Sequence, residues 1–183
     1  CIIVASIDCF ISVHEFINRR HTLGRFATSV AVVSTSSSGN HPHWLTINSF
    51  SSVSLDPPLI LWSLSLNSAR RDIFESAEYF AINILAGDQL DLCQHFSSTI
   101  PDLFSDIAWQ PSPNGQPILD GVVASLECRT WNLVEGGDHI IILGEVLAHH
   151  HNDKAPLIFA KGQLTSLWWP IKQADLCLPL IDL

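Results

Sequence analysis

Two adjacent prolines, Pro57 and Pro58, close the run T-I-N-S-F-S-S-V-S-L-D that begins at Thr46, and the chain turns apolar again directly after them. That run holds the densest set of short hydroxyl and amide side chains in the sequence. On a strand, Ile47, Ser49, Ser51 and Val53 point one way while Thr46, Asn48, Phe50 and Ser52 point the other. Neither proline has an N–H for a sheet ladder, so the pair is expected to stop it. The expectation is two strands, 45–54 and 59–65, joined by a rigid turn, with hydroxyls and amides crowded at one end where a polar ligand could sit. Ser and Thr are also common on the exposed face of an antiparallel sheet, so a purely structural role stays open.

The rest of the chain reads as short elements. Residues 14–24 suit a short amphipathic helix closed by Gly24. Residues 27–35 read as a strand, and S-S-S-G-N-H-P after them as a hairpin connection. A helix over 68–79 has Ser68 in the N-cap position and Ile73, Phe74 and Ala77 on one face. A buried strand follows over 80–85, then a helix over 88–96. Residues 97–120 are loop-like and rich in proline, and loops of that length in a compact domain are usually functional or cover an interface. Strands over 122–133 and 139–148 flank V-E-G-G-D, and a last strand covers 157–167. Six or seven strands with two or three helices and short antiparallel connections favour a closed barrel over a parallel sheet.

Composition sets the outer bounds. With 47% hydrophobic and 15% charged residues, the 183-residue chain can bury the core of one globular domain. A net charge of −9, with only nine Lys and Arg, argues against nucleic acid and against anionic membranes. Five cysteines without a C-x-x-C pair read as reduced thiols, which suggests the cytoplasm. The first dozen residues lack a basic start and a cleavage site, so no signal peptide and no membrane span is expected there. His149, His150 and His151 alternate faces on a strand and cannot converge on one metal, so no metal site is expected. No G-x-S-x-G is present, which disfavours a hydrolase.

Four separated stretches, G-R-F-A-T-S-V-A-V-V-S-T (24–35), T-I-N-S-F-S-S-V-S-L-D-P-P-L (46–59), G-Q-P-I-L-D-G-V-V-A-S-L-E-C (115–128) and G-D-H-I-I-I-L-G-E-V (137–146), stand in the order and spacing of the short-chain flavin reductases. The chain resembles that family over roughly 16–167. The family supplies the reductase components of two-component flavin-dependent monooxygenases. The resemblance implies a mainly β fold with a few helices, an antiparallel split β-barrel of the FMN-binding type, spanning 14–167 between terminal extensions at 1–13 and 168–183. It also implies a homodimer with flavin at the subunit interface, a monooxygenase partner, FMN or FAD as cofactor and NADH or NADPH as co-substrate.

Carried onto this sequence, the resemblance implies flavin contacts at Pro42, His43, Trp44, Leu45, Thr46, Asn48, Ser49, Ser63, Leu64, Ser65, Ser68 and Arg70. Ser68 at a helix start suits a phosphate, because free N–H groups and the helix dipole favour an anion. Arg70 adds charge there, or lies on a solvated helix face. Gly137, Asp138 and His139 match the family's nicotinamide site, with His139 in the catalytic position; a plain hairpin turn is the alternative. Hydride passes from nicotinamide C4 to flavin N5, so the protein mainly stacks and orients two rings. Trp44 and Ser29 stand where the family often has Gly. Trp44 beside the ring leaves room for a second reading, a flavin-binding electron-transfer or storage protein without nicotinamide turnover. A barrel whose serines are only structural is the third.

Overall fold

The computed structural model describes residues 15–37, 41–97 and 107–166. Within them, short α1 (15–23) leads into β1 (Thr28–Ser29), β2 (Ala31–Ser37) and β3 (His41–Ile47). Then come β4 (Ser51–Leu55), β5 (Pro58–Ser65), α2 (Arg71–Glu75), β6 (Tyr79–Ile84) and α3 (Leu90–Ser97). The rest is strand: β7 (Trp109–Pro111), β8 (Pro117–Leu119), β9 (Ala124–Gly136), β10 (His139–His151), β11 (Leu157–Ala160) and β12 (Gln163–Ser166).

Seven strands form one antiparallel sheet in the order β3-β2-β6-β9-β10-β5-β4. Its two edges, β3 and β4, are consecutive in the chain. The sheet therefore curls toward itself without closing, and Asn48–Phe50 carries the chain across the split. This corrects the single strand expected over 45–54. Alternation alone runs on through Asn48, but the two halves pair with different neighbours, Ile47 with Ala31 and Ser51 with Leu61. The proline pair does not stop the ladder either. Pro58 opens β5 opposite Leu55, at a strand end where its missing N–H costs little.

Side-chain alternation divides the interior into two clusters. On the concave side Ile60, Trp62 and Leu64 of β5 meet Ile140 and Ile142 of β10, Phe80 and Ile82 of β6, and Val33 of β2. Trp62 sits at the centre, edge-on to Phe74 at 5.7 Å and to Phe80 at 5.9 Å. Phe74 is the buried residue of α2, so this helix plugs one end of the barrel. Gly144 makes room for that packing, since a Cβ there would lie 2.4 Å from Phe80 Cζ.

On the convex side Val30, Val32 and Trp44 pack with Cys93 and Phe96 of α3 and with Leu119, Val122 and Leu157. The β7–β8 hairpin, inside what the sequence presents as loop 97–120, lies over this cluster. Asn83 pins it: its amide donates to Val32 O (3.1 Å) and Ser34 Oγ (3.0 Å), while its Oδ1 accepts the Leu119 N–H (2.9 Å). The Ser34 hydroxyl in turn donates to Pro117 O. The expected strand over 157–167 is instead the β11–β12 hairpin, turned at Lys161-Gly162, both with positive φ.

Candidate functional site

The antiparallel registers bring the end of β5, the start of β10, the end of β9 and the start of β3 to one end of the sheet. Most of the hydroxyl, amide and imidazole groups singled out in the sequence gather there. Residues opposite one another on paired strands share a face. Leu64 and Ile140 face the core, so Ser63, Ser65, His139 and Ile141 face out, together with Leu61 and Leu143. None of these outward side chains is fully buried. The sheet thus presents an apolar strip, Leu61, Ile141 and Leu143, rimmed by serines and a histidine. Only the serines and His139 stood out in the sequence; the alternation of β5 and β10 is the signal that carries the apolar partners.

Ser49 lies beside the split. Its Oγ accepts the Ser63 N–H at 3.0 Å and approaches Ser63 O at 3.4 Å. Here β4 has ended its pairing with β5, and the hydroxyl stands in for the missing ladder partner. Ser68 is not the N-cap of α2. The helix begins at Arg71, with Arg70 as N-cap, because the preceding turn is closed by Ser68 N–H on Ser65 O and by Ser68 Oγ accepting the Arg70 N–H. The helix expected over 68–79 is correspondingly only five residues long.

Arg70 is half-buried, and among the described residues it has no carboxylate partner, whereas its neighbour Arg71 is bound to Glu75 at 2.8 Å. It stands close enough to His43 of β3 to act on its charge. Burial, then Arg70, then His41 hold the His43 imidazole below its ordinary pKa, so it stays neutral at pH 7. A half-buried guanidinium beside a neutral imidazole leaves positive charge for an anion to meet.

The β9–β10 hairpin reaches the same end of the sheet. Gly137 takes the positive φ (76°) at the first central position of a two-residue turn, as a II′ hairpin needs. The turn is tied to β5 by the Leu66 N–H on Asp138 O at 3.0 Å, and His139 lies opposite Ser65. His139 Nδ1 stands 2.7 Å from Asp138 Oδ1. That hydrogen bond holds the Asp138 carboxyl below the usual carboxylate range.

Two proposed contacts have core side chains. Trp44 is 2% exposed, its ring 5.1 Å from Phe96 and 6.4 Å from Trp109 on the convex side. Leu64 is fully buried in the concave core. Alternation turns Trp44 of β3 into the convex cluster and Leu64 of β5 into the concave one, so either can reach a ligand only through its backbone. Leu45 also packs on the concave core, Thr46 Oγ1 is buried without a partner, Asn48 is exposed and Pro42 is half-buried. Trp44 therefore gives no support to the carrier reading.

The donor set fits a flavin: a cation without a carboxylate partner among the described residues, with a hydroxyl, for a phosphate, serines for a polar chain, and an apolar strip for a flat ring. Residues 23–167 match the model of the flavin reductase like domain, and the chain belongs to that family. It is 43% identical over 143 residues to the FMN reductase (NADH) SmoA of Agrobacterium fabrum, a match covering 78% of this chain and 81% of that protein. It is 40% identical over 135 residues to the reductase component of the flavin-dependent trigonelline monooxygenase of Acinetobacter baylyi, covering 74% of this chain but 44% of that protein. The fold superposes with a TM-score of 0.81 on the NADH:FAD oxidoreductase SgcE6 of Streptomyces globisporus, solved with NAD and FAD fragments. That match is 32% identical and covers 87% of this chain and 96% of the other.

Proposed function

We propose that the chain uses NADH to reduce FMN and releases the reduced flavin to a monooxygenase. The observations that carry this reading lie at one end of the sheet: Arg70, without a carboxylate partner among the described residues, the serine-rimmed apolar strip on the outward face of β5 and β10, and the Gly137–His139 turn. Arg70 and Ser68 hold the flavin phosphate, and Ser63 and Ser65 face the polar chain. The strip of Leu61, Ile141 and Leu143 lies under the ring and keeps water from one side of it. His139 orients the nicotinamide. Bound flavin supplies the ring nitrogen that accepts hydride, so the residues here bind, orient and exclude water without a general base.

The choice of NADH and FMN follows the 43%-identical relative named for both, and the oxygenase partner follows the trigonelline monooxygenase component. A second copy of the chain covers the half-exposed outer face, giving a homodimer, because apolar sheet faces of this kind pack against a partner. No helix among the described residues is long and apolar enough to cross a membrane, and we place the protein in the cytoplasm.

The test is anaerobic reduction of flavin followed by absorbance near ~450 nm, an absorbance that belongs to the isoalloxazine itself. FMN and FAD are each combined with NADH and NADPH. Rapid saturable bleaching with NADH and FMN is the expected result, and flavin binding without bleaching by either nucleotide contradicts it.

A further inference from the structure

We propose that Asp138 is a positioning residue that acts through His139: its carboxylate keeps the proton on Nδ1 and leaves Nε2 as an acceptor for the carboxamide N–H of a nicotinamide. This rests on the reading of the hairpin turn as the nicotinamide site, and it gives Asp138 a role other than direct contact with the nucleotide.

The geometry comes from three constraints. Gly137 supplies the positive φ of the turn. The Leu66 N–H ties the Asp138 carbonyl to β5. His139 is held in register opposite Ser65. With the backbone so fixed, Asp138 Oδ1 lies 2.7 Å from His139 Nδ1. A carboxylate only accepts, so Nδ1 must donate, and a neutral ring then has its one lone pair at Nε2. The same pairing fixes ring orientation where a histidine binds a metal.

The Asp138 side chain is 86% exposed against 42% for His139, so the imidazole is the more enclosed of the two. The other strands packed on His139 bring Glu135 beside the turn from β9, and Ser65 with Leu66 from β5. Neither β5 residue ionises, and Glu135 faces the opposite side of β9 from Gly136. A carboxamide carries both an N–H donor and a carbonyl acceptor. A ring held with Nε2 bare recognises the former, and the latter is left for other groups.

The experiment compares kcat/KM for NADH with that for reduced 3-acetylpyridine adenine dinucleotide, in which a methyl group replaces the amide nitrogen. The full chain is saturated with FMN. Taking the ratio within each variant cancels the different reactivity of the two rings. Asp138→Ala and His139→Ala are each expected to lower the NADH preference about 5-fold to 10-fold, the weight of one hydrogen bond, a ratio read at saturating FMN and so independent of any change in FMN affinity. Asp138→Asn keeps an acceptor oxygen and is expected to retain most of the preference. Nitrogen-15 NMR of the neutral His139 ring gives a readout that a merely structural turn would not move: protonated Nδ1 in the wild type, lost in Asp138→Ala.

An unchanged nucleotide ratio in Asp138→Ala, or a wild-type ring protonated at Nε2, overturns the proposal. A wild-type chain that oxidises neither nucleotide with any flavin overturns the functional reading instead, and the nicotinamide half of this proposal with it. The ring assignment by NMR tells the two failures apart.

Discussion

The convex side under the β7–β8 hairpin and the open end of the sheet use the same kinds of side chain for opposite ends. Under the hairpin, Ser34 and Asn83 are fully buried, and the network they form with β8 satisfies each amide and hydroxyl group. Glu127 lies nearby on β9, its Oε1 accepting from Ser112 Oγ and from the Asn114 N–H at 2.9 Å, while its buried Oε2 has no partner among the described residues. At the open end Ser49, Ser65 and Ser68 are half-buried and bond only to backbone close by, while Arg70 has no carboxylate partner among the described residues. A serine or asparagine count cannot tell these regions apart. Burial and reach can: the buried Ser34–Asn83 set is bonded across β2, β6 and β8 and fixes the architecture, and the half-buried set, bonded only to nearby backbone, faces a ligand.

On that division, variants of Asn83 and of Arg70 fail in different assays. Asn83→Ala leaves the buried Leu119 N–H without its partner, removes the donor to Ser34 Oγ and opens a small void, so it is expected to lower unfolding free energy by about 3 kcal/mol. Denaturant titration reads this loss, and FMN affinity of the folded fraction is expected to stay unchanged. Arg70→Ala is expected to do the reverse. It weakens FMN binding by about 2 kcal/mol, roughly 30-fold in Kd, by removing a charge-assisted bond, and leaves the unfolding midpoint within error. Equal effects of both variants on both assays would erase the distinction.

A pH titration sharpens it further through Cys128, which belongs to the architecture alone. Burial, with Glu127 beside it, pushes the Cys128 thiol from 9.0 up to about 12. The folded state therefore keeps its proton while the unfolded chain loses it above pH 9. Stability is fully present below that pH and is expected to fall by about 1.4 kcal/mol per unit as pH rises from about 9 toward 12. Cys128→Ala removes that slope. The smallest effect expected is that of Ser49→Ala, about 1 kcal/mol of stability from the unpaired Ser63 N–H. Circular dichroism melts check it. Because this serine holds the Ser63 backbone, a mild loss of flavin affinity accompanies the destabilisation.

Much of this was legible in residue patterns. The strands at 80–85 and 139–148 and the helix at 88–96 lie close to β6, β10 and α3, because period and length agree there. The turn at Gly137 followed from a glycine that the hairpin needs. Three features were not legible, each for a physical reason. The break at Asn48–Phe50 depends on which strands lie at the sheet edges, a non-local fact that alternation does not carry. The position of Trp44 depends on α3 and β7 lying over the convex side, a non-local fact that the polar residues around it in the sequence do not carry. The shortness of α2 follows from the Ser65–Ser68 turn consuming residues that helix periodicity would assign to the helix.

The measurement that bears most directly on the account is a crystal structure of the protein with FMN. The phosphate is expected within hydrogen-bond distance of Arg70 and Ser68, and the ring against Leu61, Ile141 and Leu143 with His139 at its edge. FMN bound instead against the convex side, beneath the β7–β8 hairpin, would contradict the division between buried and half-buried polar groups on which the functional reading stands.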